Sequence, residues 1–548
     1  MKRLLAAALL LACSSPFWDL AHPLWEVDDA RYAEVPREMV ESGDWVTPRL
    51  NYVDYVEKPP LIYWAGAVSY TVFGVGEGAA RLPLALFSLA GLLGVFWIGS
   101  WLYDRRTGVF AVLILGSSAL YFGLSHLITT DLALSVCLLW ATGLILRCLR
   151  KPADASWAGP AAWIAMAAAF LAKGLISVVL PGAWIVALLI LFPETRRGLK
   201  GLLLNWGTLA FVVVIGGWFA VMERANPDFF HVFIIEQHFQ RYLTPKYNRP
   251  GAWWYFLAVD LAGFLPWTPL AAAAALLPFL RWRQSESRDL QLALWVALVF
   301  GFFSASSSKL ATYILPLFAH QAILAAHLAS RLRRERALER FLRTAALGIG
   351  ALFGAAALAL PFAARWIPSP VPVGFRLTAA ATGVLALLAA ALAAFSRASR
   401  LDDGTASVAP TAVAGLLAFL CLLAGTRGLT DELSVRTMGH ALNGKLASIP
   451  GDEQTRLIAY DRYPHGIPFY TRRPMDVVNW VGEMHYAKRF ERFADRFGDD
   501  NTIRALPQKG TRTFVTLPRK ELKHFLTLNP PSELRSLEPF GPWVLAEF

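Results

Sequence analysis

The residues of this chain that could do chemistry are concentrated between Trp25 and Pro60. Three acids, Glu26, Asp28 and Asp29, fall within four residues, and carboxylates this close repel one another unless cations neutralise them. A carboxylate can act as a general base or orient a cationic group, and lysine and arginine bind anionic groups. The stretch therefore predicts a charged site, with further candidates in Arg31, Tyr32, Tyr55, Glu57 and Lys58.

A structural role is the alternative for the acids of this stretch. Asp28 or Asp29 could cap a helix that runs through Arg31 and Glu38. A single carboxylate need not be catalytic, and this alternative stays open for Asp29. The neighbouring arginine, lysine and tyrosines favour a functional role for Asp28.

Further candidates lie at the edges of later apolar runs. Asp131 follows His126 and two threonines, and it either caps a helix or supplies a second acid. Lys173 and Lys309 either extend along the surface to reach water or bind an anion. The segment 236–242 combines an acid, an imidazole, an arginine and aromatics, which is typical either of a site or of an amphipathic interface helix.

Metal binding has only weak support in the sequence. Glu57 and His238 could ligate a divalent metal, but two ligands do not make a site. The four cysteines lie in apolar runs without any Cys-x-x-Cys spacing, so they indicate neither a zinc site nor a disulfide framework. We expect no required cofactor, and keep a divalent metal as a possibility.

The elements that position these residues are transmembrane helices. Of the 548 residues, 56% are hydrophobic and 17% charged, and the mean hydropathy is +0.44. These values predict a mostly α-helical, polytopic membrane protein. A span needs roughly 20 residues, and about thirteen apolar runs qualify. The first ends at about residue 20, and the others lie at about 82–102, 107–125, 132–146, 157–172, 175–192, 202–221, 253–280, 290–307, 311–330, 344–362, 376–396 and 411–428.

Basic residues predict the orientation of these spans. They cluster in every second connection, which is typical of cytoplasmic loops, so the excess of 52 Lys and Arg over 40 Asp and Glu needs no nucleic acid partner. The first loop 21–81, the loop 222–252 and residues 430–548 then lie outside. Leu61–Val75 is too short to span, and we expect it at the outer interface. The N-terminal segment is either a cleaved signal peptide or an uncleaved first span, and both alternatives leave Ala21 outside.

Two domains follow from this division. Residues 1–429 form the membrane domain, and residues 430–548 change character. There the apolar runs shorten to strand length and alternate with Gly, Pro and Asp, which predicts a small α/β domain. The expected strands are Leu457–Tyr460, Ile467–Tyr470, Thr513–Leu517 and Trp543–Phe548.

The first loop also carries motifs of a known family. They are D-D-x-R-Y-A-x(4)-E-M from Asp28, S-G-D-W from Ser42 and E-K-P from Glu57, and later Glu77-x(3)-Arg81-Leu82-Pro83 and Ser308-Lys309-x(3)-Tyr313-x-Leu315-Pro316. In these residues the chain resembles the polyprenyl-phosphate-sugar-dependent glycosyltransferases of the protein-mannosyltransferase superfamily, and within it the bacterial aminoarabinose transferases. Many relatives have Asp-Glu where this chain has Asp28-Asp29, so the resemblance assigns no role to the second acid.

The resemblance implies a C-type glycosyltransferase fold with its active site at the outer membrane face. Asp28 would be the essential first-loop acid, with Asp131 as a second catalytic candidate. A polyprenyl phosphate leaving group needs cations held ready for its charge, and Lys58, Arg241 and Lys309 are the candidates. The remaining substrate-binding candidates are Arg31, Tyr32, Tyr55, Lys173 and Tyr313.

The implied reaction transfers 4-amino-4-deoxy-L-arabinose from undecaprenyl phosphate to lipid A phosphate, by one inverting displacement at the periplasmic face of the bacterial inner membrane. It would confer resistance to polymyxin and other cationic peptides. Asp28 would act as a base toward a hydroxyl acceptor, whereas toward a phosphate it would orient the sugar's amino group or stabilise an oxocarbenium-like sugar. Two alternatives remain: another sugar or a protein Ser/Thr acceptor, and a lipid flippase or transporter, which would place ionisable residues near mid-membrane.

Overall fold

The computed structural model describes residues 2–243, 251–331, 405–450, 453–506, 511–529 and 531–548, with a few helical positions between 340 and 383. The chain is a multi-pass membrane protein. Within the described residues, seven helices are long and apolar enough to span, or eight if the bent pair Ile176–Leu191 and Pro193–Leu203 is one span. The predicted spans 344–362 and 376–396 lie almost wholly outside the described residues, so the total of about thirteen stays a prediction. The seven are Glu77–Leu102, Thr130–Arg150, Pro152–Lys173, Trp206–Ala225, Ser287–Ala305, Ala311–Arg331 and Val408–Leu433.

Two predicted continuous runs are broken helices. The run 107–125 forms Arg105–Gly116 and Ala119–Leu124, and the run 253–280 forms Tyr255–Gly263 and Thr268–Leu280. The breaks face each other, because the Ala119 amide donates to the Leu265 carbonyl at 3.0 Å. Irregular backbone inside a membrane needs such internal partners. Near the N-terminus, the continuous helix Lys2–Ser14 ends earlier than the expected limit of residue 20, and a 3₁₀ turn follows at Ser15–Phe17.

The first loop is a folded unit rather than an open connection. It contains the helix Asp28–Ser42, a short hairpin of β1 (Arg49–Leu50) and β2 (Val53–Asp54), and the helix Leu61–Phe73. The two helices pack closely at Gly66, where a Cβ would lie 2.8 Å from Pro36 Cγ. The 13-residue Leu61–Phe73 helix is too short to span, as predicted.

One buried ion pair attaches the first loop to the membrane domain. Asp29 and Arg81 are both fully buried and form a salt bridge. Asp29 also accepts the Ile128 amide at 2.9 Å and the Trp25 amide at 3.1 Å. Asp29 is the second residue of the helix Asp28–Ser42. Its carboxylate joins three separate segments.

The C-terminal domain contains a six-stranded mixed sheet in the order β5-β4-β3-β6-β8-β7. The strands β3, β4, β5 and β6 are parallel, and β8 pairs antiparallel with β6 and β7. Four helices, Arg436–Ala447, Gly466–Thr471, Asp500–Arg504 and Leu522–Leu528, accompany it. The α/β prediction is therefore confirmed. The strands are Gln454–Tyr460 (β3), Asp476–Val478 (β4), Phe497–Gly498 (β5), Thr511–Pro518 (β6), Ser536–Phe540 (β7) and Trp543–Glu547 (β8).

The strand expected at Ile467–Tyr470 is wrong, because these residues belong to the helix Gly466–Thr471. Its N-terminus is capped from a distant segment: the Glu26 carboxylate accepts the amides of His465 at 2.8 Å and Gly466 at 2.6 Å. A carboxylate at a helix N-terminus satisfies donors that the helix itself leaves unpaired. A residue of the first loop thus caps this helix of the C-terminal domain.

A second contact docks the C-terminal domain on the first loop. The Asn51 side chain donates to the Met475 carbonyl at 2.7 Å and accepts the Met475 amide at 2.8 Å. Asn51 is fully buried. The two segments, more than 400 residues apart, therefore meet through a reciprocal hydrogen-bonded pair rather than through a loose surface contact.

Candidate active site

A cavity of about 730 Å³ lies where the first loop, the ends of several membrane helices and the C-terminal domain meet. Its lining combines charged side chains, which form the charged wall, with apolar side chains, which form the apolar wall. Two previously predicted outside segments, the first loop and residues 222–252, both contribute. Its lining includes Asp28, Arg31, Tyr32, Glu57, Lys58, Asp131, Leu134, Lys173, Ile176, Val179, Gln237, His238, Tyr242, Leu243, Phe302, Phe303, Ser308, Tyr313, Trp480, Glu483 and His485.

Arg31 lies between two carboxylates of this cavity. It follows Asp28 by one helical turn, and its Nη2 binds Asp28 Oδ1. Its Nη1 binds Glu483 Oε1 of the C-terminal domain at 2.5 Å. The Arg31 side chain is only 8% exposed, whereas that of Asp28 is 38% exposed. A buried guanidinium thus holds an acid that stays accessible from the cavity.

His465 continues this arrangement on the far side of Glu483. Its Nε2 lies 3.6 Å from Glu483 Oε2, and its Nδ1 lies 3.6 Å from Glu26 Oε2. Burial alone would lower the pKa of His465, but the two carboxylates outweigh it and raise that pKa above its ordinary value. Burial alone would likewise raise the pKa of Glu483, yet His465 and Arg31 hold it well below its usual range. The group is therefore a row of alternating charges.

Asp131 and Lys173 form a second charged pair on the cavity wall. Asp131 lies in the first turn of the helix Thr130–Arg150, where the helix dipole favours an anion. Lys173 ends the helix Ala155–Lys173, and its Nζ lies 4.6 Å from the centre of the Tyr313 ring. The side chain of Asp131 therefore binds a lysine rather than its own helix end, and Lys173 extends into the site rather than toward lipid.

Glu57 and Lys58 bring opposite charges to the cavity from one loop. Glu57 Oε1 lies 3.6 Å from Nδ1 of His485, a residue of the C-terminal domain. The other ring nitrogen of His485 lies 3.9 Å from Glu236 Oε2. The two long loops and the C-terminal domain thus converge on one imidazole.

Three predicted binding residues have other surroundings. Tyr55 is fully buried and packs edge-on against Tyr63, with ring centroids 6.5 Å apart, so it supports the wall from behind. Lys309 donates from Nζ to the carbonyls of Ser304 at 2.8 Å and Ser306 at 3.1 Å, where it neutralises the end of the helix Ser287–Ala305. The side chain of Arg241 lies outside the described part of the chain, although its backbone begins the short helix Arg241–Leu243.

The metal possibility can be tested against the hydrogen bonds of His238. Its Nε2 accepts the Leu175 amide at 3.1 Å, which makes Nδ1 the protonated nitrogen that donates to the Phe233 carbonyl at 2.5 Å. Both ring nitrogens of His238 are thus engaged in hydrogen bonds. Among the described residues, no group of three or more His, Cys, Asp or Glu side chains is arranged to hold a metal ion.

The sequence analysis missed the residues that the C-terminal domain contributes to the cavity, which belong to the segment Trp480–His485. Trp480, Glu483 and His485 line the cavity from the C-terminal domain. The local signal was a short run of aromatic and charged residues after the strand β4, which alone does not indicate where it lies. Glu483 binds Arg31 and His485 lies near Glu57, each more than 400 residues away in sequence, so only the fold brings them to the site.

Comparisons with known proteins agree with this architecture. The family of dolichyl-phosphate-mannose-protein mannosyltransferases matches residues 57–218. Proteins named undecaprenyl phosphate-alpha-4-amino-4-deoxy-L-arabinose arabinosyl transferase are similar in sequence: that of Aeromonas hydrophila subsp. hydrophila is 34% identical over 322 residues, 57% of each chain. That of Erwinia tasmaniensis is 32% identical over 314 residues, 56% of this chain and 55% of its own. The chain thus spans about half the length of the curated relatives it matches.

A solved structure is similar over the whole chain. ArnT from Cupriavidus metallidurans, crystallised with undecaprenyl phosphate, matches with a TM-score of 0.84 and 27% identity, covering 100% of this chain and 97% of its own. The fold predicted from the first-loop motifs is therefore confirmed. By sequence over more than half its length, and by fold over the whole of it, the chain is similar to the ArnT-like glycosyltransferases of the protein-mannosyltransferase type.

Proposed function

We propose that the protein transfers 4-amino-4-deoxy-L-arabinose from undecaprenyl phosphate to a phosphate of lipid A, at the periplasmic face of the bacterial inner membrane. The names of its relatives and the lipid bound to the Cupriavidus neighbour support this donor. The observation that carries the proposal is the composition of the cavity. It joins charged groups to an apolar wall, as a lipid-linked sugar requires.

The apolar wall suits the prenyl chain. Ile176, Val179 and Leu243 line the cavity, and Val179 and Leu243 are also exposed on the outer surface of the protein. A polyprenyl tail can therefore lie along this side while its phosphate reaches the charged groups. Burial of each methylene of such a chain contributes about 0.8 kcal/mol.

The charged wall suits the reacting groups. In one displacement, the acceptor phosphate oxygen forms a bond to the anomeric carbon while the bond from that carbon to the undecaprenyl phosphate oxygen breaks. The electron pair leaves with the undecaprenyl phosphate, and Lys58 is the cation we assign to it. Configuration is inverted, because the acceptor attacks opposite the leaving group.

The balance of charge favours a cationic sugar. Four carboxylates line the cavity, Asp28, Glu57, Asp131 and Glu483, against three arginine or lysine side chains, Arg31, Lys58 and Lys173. An ammonium group on the sugar complements the remaining negative charge, which a neutral hexose cannot do. With an anionic acceptor, deprotonation gains little, so Asp28 orients the amino sugar or stabilises the positive charge that develops on its ring.

The proposal is tested with purified protein, undecaprenyl phosphate-linked aminoarabinose and lipid A, and mass spectrometry of both lipids. We expect lipid A to gain one aminoarabinose for each donor consumed, with the Asp28→Asn variant as the inactive control. Transfer to a Ser/Thr peptide, or from a different sugar donor, would favour the mannosyltransferase-like alternative. Movement of the donor across vesicles without consumption would identify a transporter.

The proposed orientation has its own test. Single cysteines in the exposed part of the C-terminal domain should react with a membrane-impermeant maleimide in intact cells whose outer membrane is permeabilised. A cysteine in the connection between Ser287–Ala305 and the preceding helix should react only after lysis. The reverse labelling pattern would refute a periplasmic site.

A further inference from the structure

Five ionisable side chains form a continuous row from the cavity into the C-terminal domain. Asp28 binds Arg31, Arg31 binds Glu483, and His465 lies between Glu483 and Glu26. The row alternates in charge when His465 is protonated. Two of its members, Glu483 and His465, belong to the C-terminal domain and the other three to the first loop, so the row exists only when the domains are docked.

The geometry at Arg31 gives the row a specific consequence. Each of its two terminal nitrogens binds a different carboxylate, Nη2 binding Asp28 and Nη1 binding Glu483. A planar guanidinium held at both ends has one orientation. The contact with Asp28 then uses Oδ1, while the Asp28 side chain also lines the cavity.

Removing Glu483 removes that constraint. The guanidinium could then rotate to bind both oxygens of Asp28 in the bidentate geometry that arginine and carboxylate prefer. Both oxygens would be occupied and withdrawn from the sugar. The fold would remain intact, while the acid would be in the wrong orientation.

We propose that Glu483 and His465 of the C-terminal domain are positioning residues for Asp28 and act through Arg31. The inference rests on the proposed function, since it concerns the acid assigned to the same transfer. His465 keeps Glu483 in place by contact with its second oxygen, and Glu26 holds His465 from the other side. The C-terminal domain thus controls the orientation of the reacting groups as well as closing the cavity.

The row is sensitive to pH through His465. Its charged neighbours are Glu26 and Glu483, and its aromatic neighbours are Tyr463, at 4.9 Å between ring centroids, and Trp480, at 6.0 Å. A protonated ring carries a positive charge that attracts both carboxylates, each 3.6 Å away, whereas a neutral ring does not. The two carboxylates raise the pKa of His465, so the row should lose this link only above the ordinary range of histidine.

The experiment compares full-length wild type with Glu483→Gln, His465→Gln and a matched control, Glu547→Gln. Glu547 is also a buried carboxylate of the C-terminal domain, and it binds Lys445 at 2.9 Å and Arg512, but it lies away from the cavity. We expect Glu483→Gln to lower kcat about 10- to 100-fold, as small misplacements of reacting groups do. The KM for the donor should stay within about threefold. Glu547→Gln should retain wild-type kcat even though its thermal unfolding temperature falls.

The pH dependence of kcat distinguishes a positioning role of His465 from a purely structural one. Wild-type kcat should fall as pH rises through the raised pKa of His465. The kcat of His465→Gln should be low at every pH and should lack that alkaline limb.

A Glu483→Gln variant with the kcat of Glu547→Gln would overturn the inference, and so would a change confined to KM. If Glu483→Gln does not fold, an unchanged alkaline limb in His465→Gln overturns it instead. A wild type that transfers no aminoarabinose contradicts the proposed function, whereas an active wild type with an equally active Glu483→Gln contradicts only the inference.

Discussion

Substitution by asparagine should affect stability at Asp29 and transfer activity at the adjacent Asp28. Asp29 is fully buried, binds Arg81 and accepts two backbone amides. Asp28 binds Arg31 at the edge of the cavity, and its side chain is 38% exposed. Asp29→Asn should therefore destabilise the protein, whereas Asp28→Asn should abolish transfer and leave the fold intact.

The magnitudes follow from what each change leaves behind. Asp29→Asn leaves the buried Arg81 without a counter-charge, and breaking such a pair costs about 3–5 kcal/mol. Arg81 keeps hydrogen bonds to the carbonyls of Leu20 at 2.9 Å and Pro23 at 3.0 Å, so we expect the lower end, about 3 kcal/mol. That corresponds to roughly a hundredfold change in the ratio of folded to unfolded protein. Asp28→Asn leaves Arg31 bound to Glu483, and a partly exposed pair contributes about 1 kcal/mol or less.

The assay measures unfolding and transfer on the same two variants. Equilibrium unfolding in mixed micelles gives the difference in free energy, and transfer to lipid A by the protein that remains folded gives the activity. We expect folded Asp29→Asn to transfer at a rate close to wild type, and Asp28→Asn to be slower by about 10²-fold or more. Equal unfolding free energies for the two variants would refute the reasoning, and so would wild-type turnover by Asp28→Asn.

The remaining predictions concern other groups of the site. Lys58→Ala should raise the KM for the donor about tenfold with little change in kcat, because it removes one charged contact to the leaving phosphate; an unchanged KM contradicts that role. In a double-mutant cycle, Asp131→Asn and Lys173→Met together should lower the free energy of unfolding by about 1–3 kcal/mol less than the sum of their separate effects. Strict additivity would show that the pair is not coupled. Dialysis against EDTA should leave transfer unchanged, because both ring nitrogens of His238 are hydrogen-bonded, and recovery only on adding a divalent metal would contradict this. The raised pKa of His465 should stabilise the fold below the ordinary histidine pKa, and this contribution should be lost as pH rises through the raised value; thermal unfolding of wild type and His465→Gln should therefore converge at alkaline pH.

The charged side of the site was predictable because its residues are close in sequence. Asp28, Arg31 and Lys58 belong to one loop, and their types indicated chemistry before their positions were known. Asp131 and Lys173 could be assigned to the same face of the membrane, because basic residues cluster in every second connection between the spans. Local composition thus identified the charged residues that line the cavity from the membrane domain.

The parts that could not be predicted depend on distant contacts. Tyr55 has the right type and loop, but its side chain packs inward against Tyr63. The strand expected at Ile467–Tyr470 is a helix, and its N-terminus is capped by Glu26, some 440 positions away. Glu483 has no local pattern that relates it to Arg31. In each case the deciding partner is remote, so its effect cannot be read from neighbouring residues.

The docking of the C-terminal domain also affects when activity can begin. Ribosomes finish the first loop and its aspartates long before they reach the segment Trp480–His485 that lines the same cavity. A nascent chain, or one released early by a premature stop, would hold the lipid-facing half of the site without its cover. Transfer activity therefore arises late in biogenesis. A truncated translation product should be inactive rather than active with relaxed specificity.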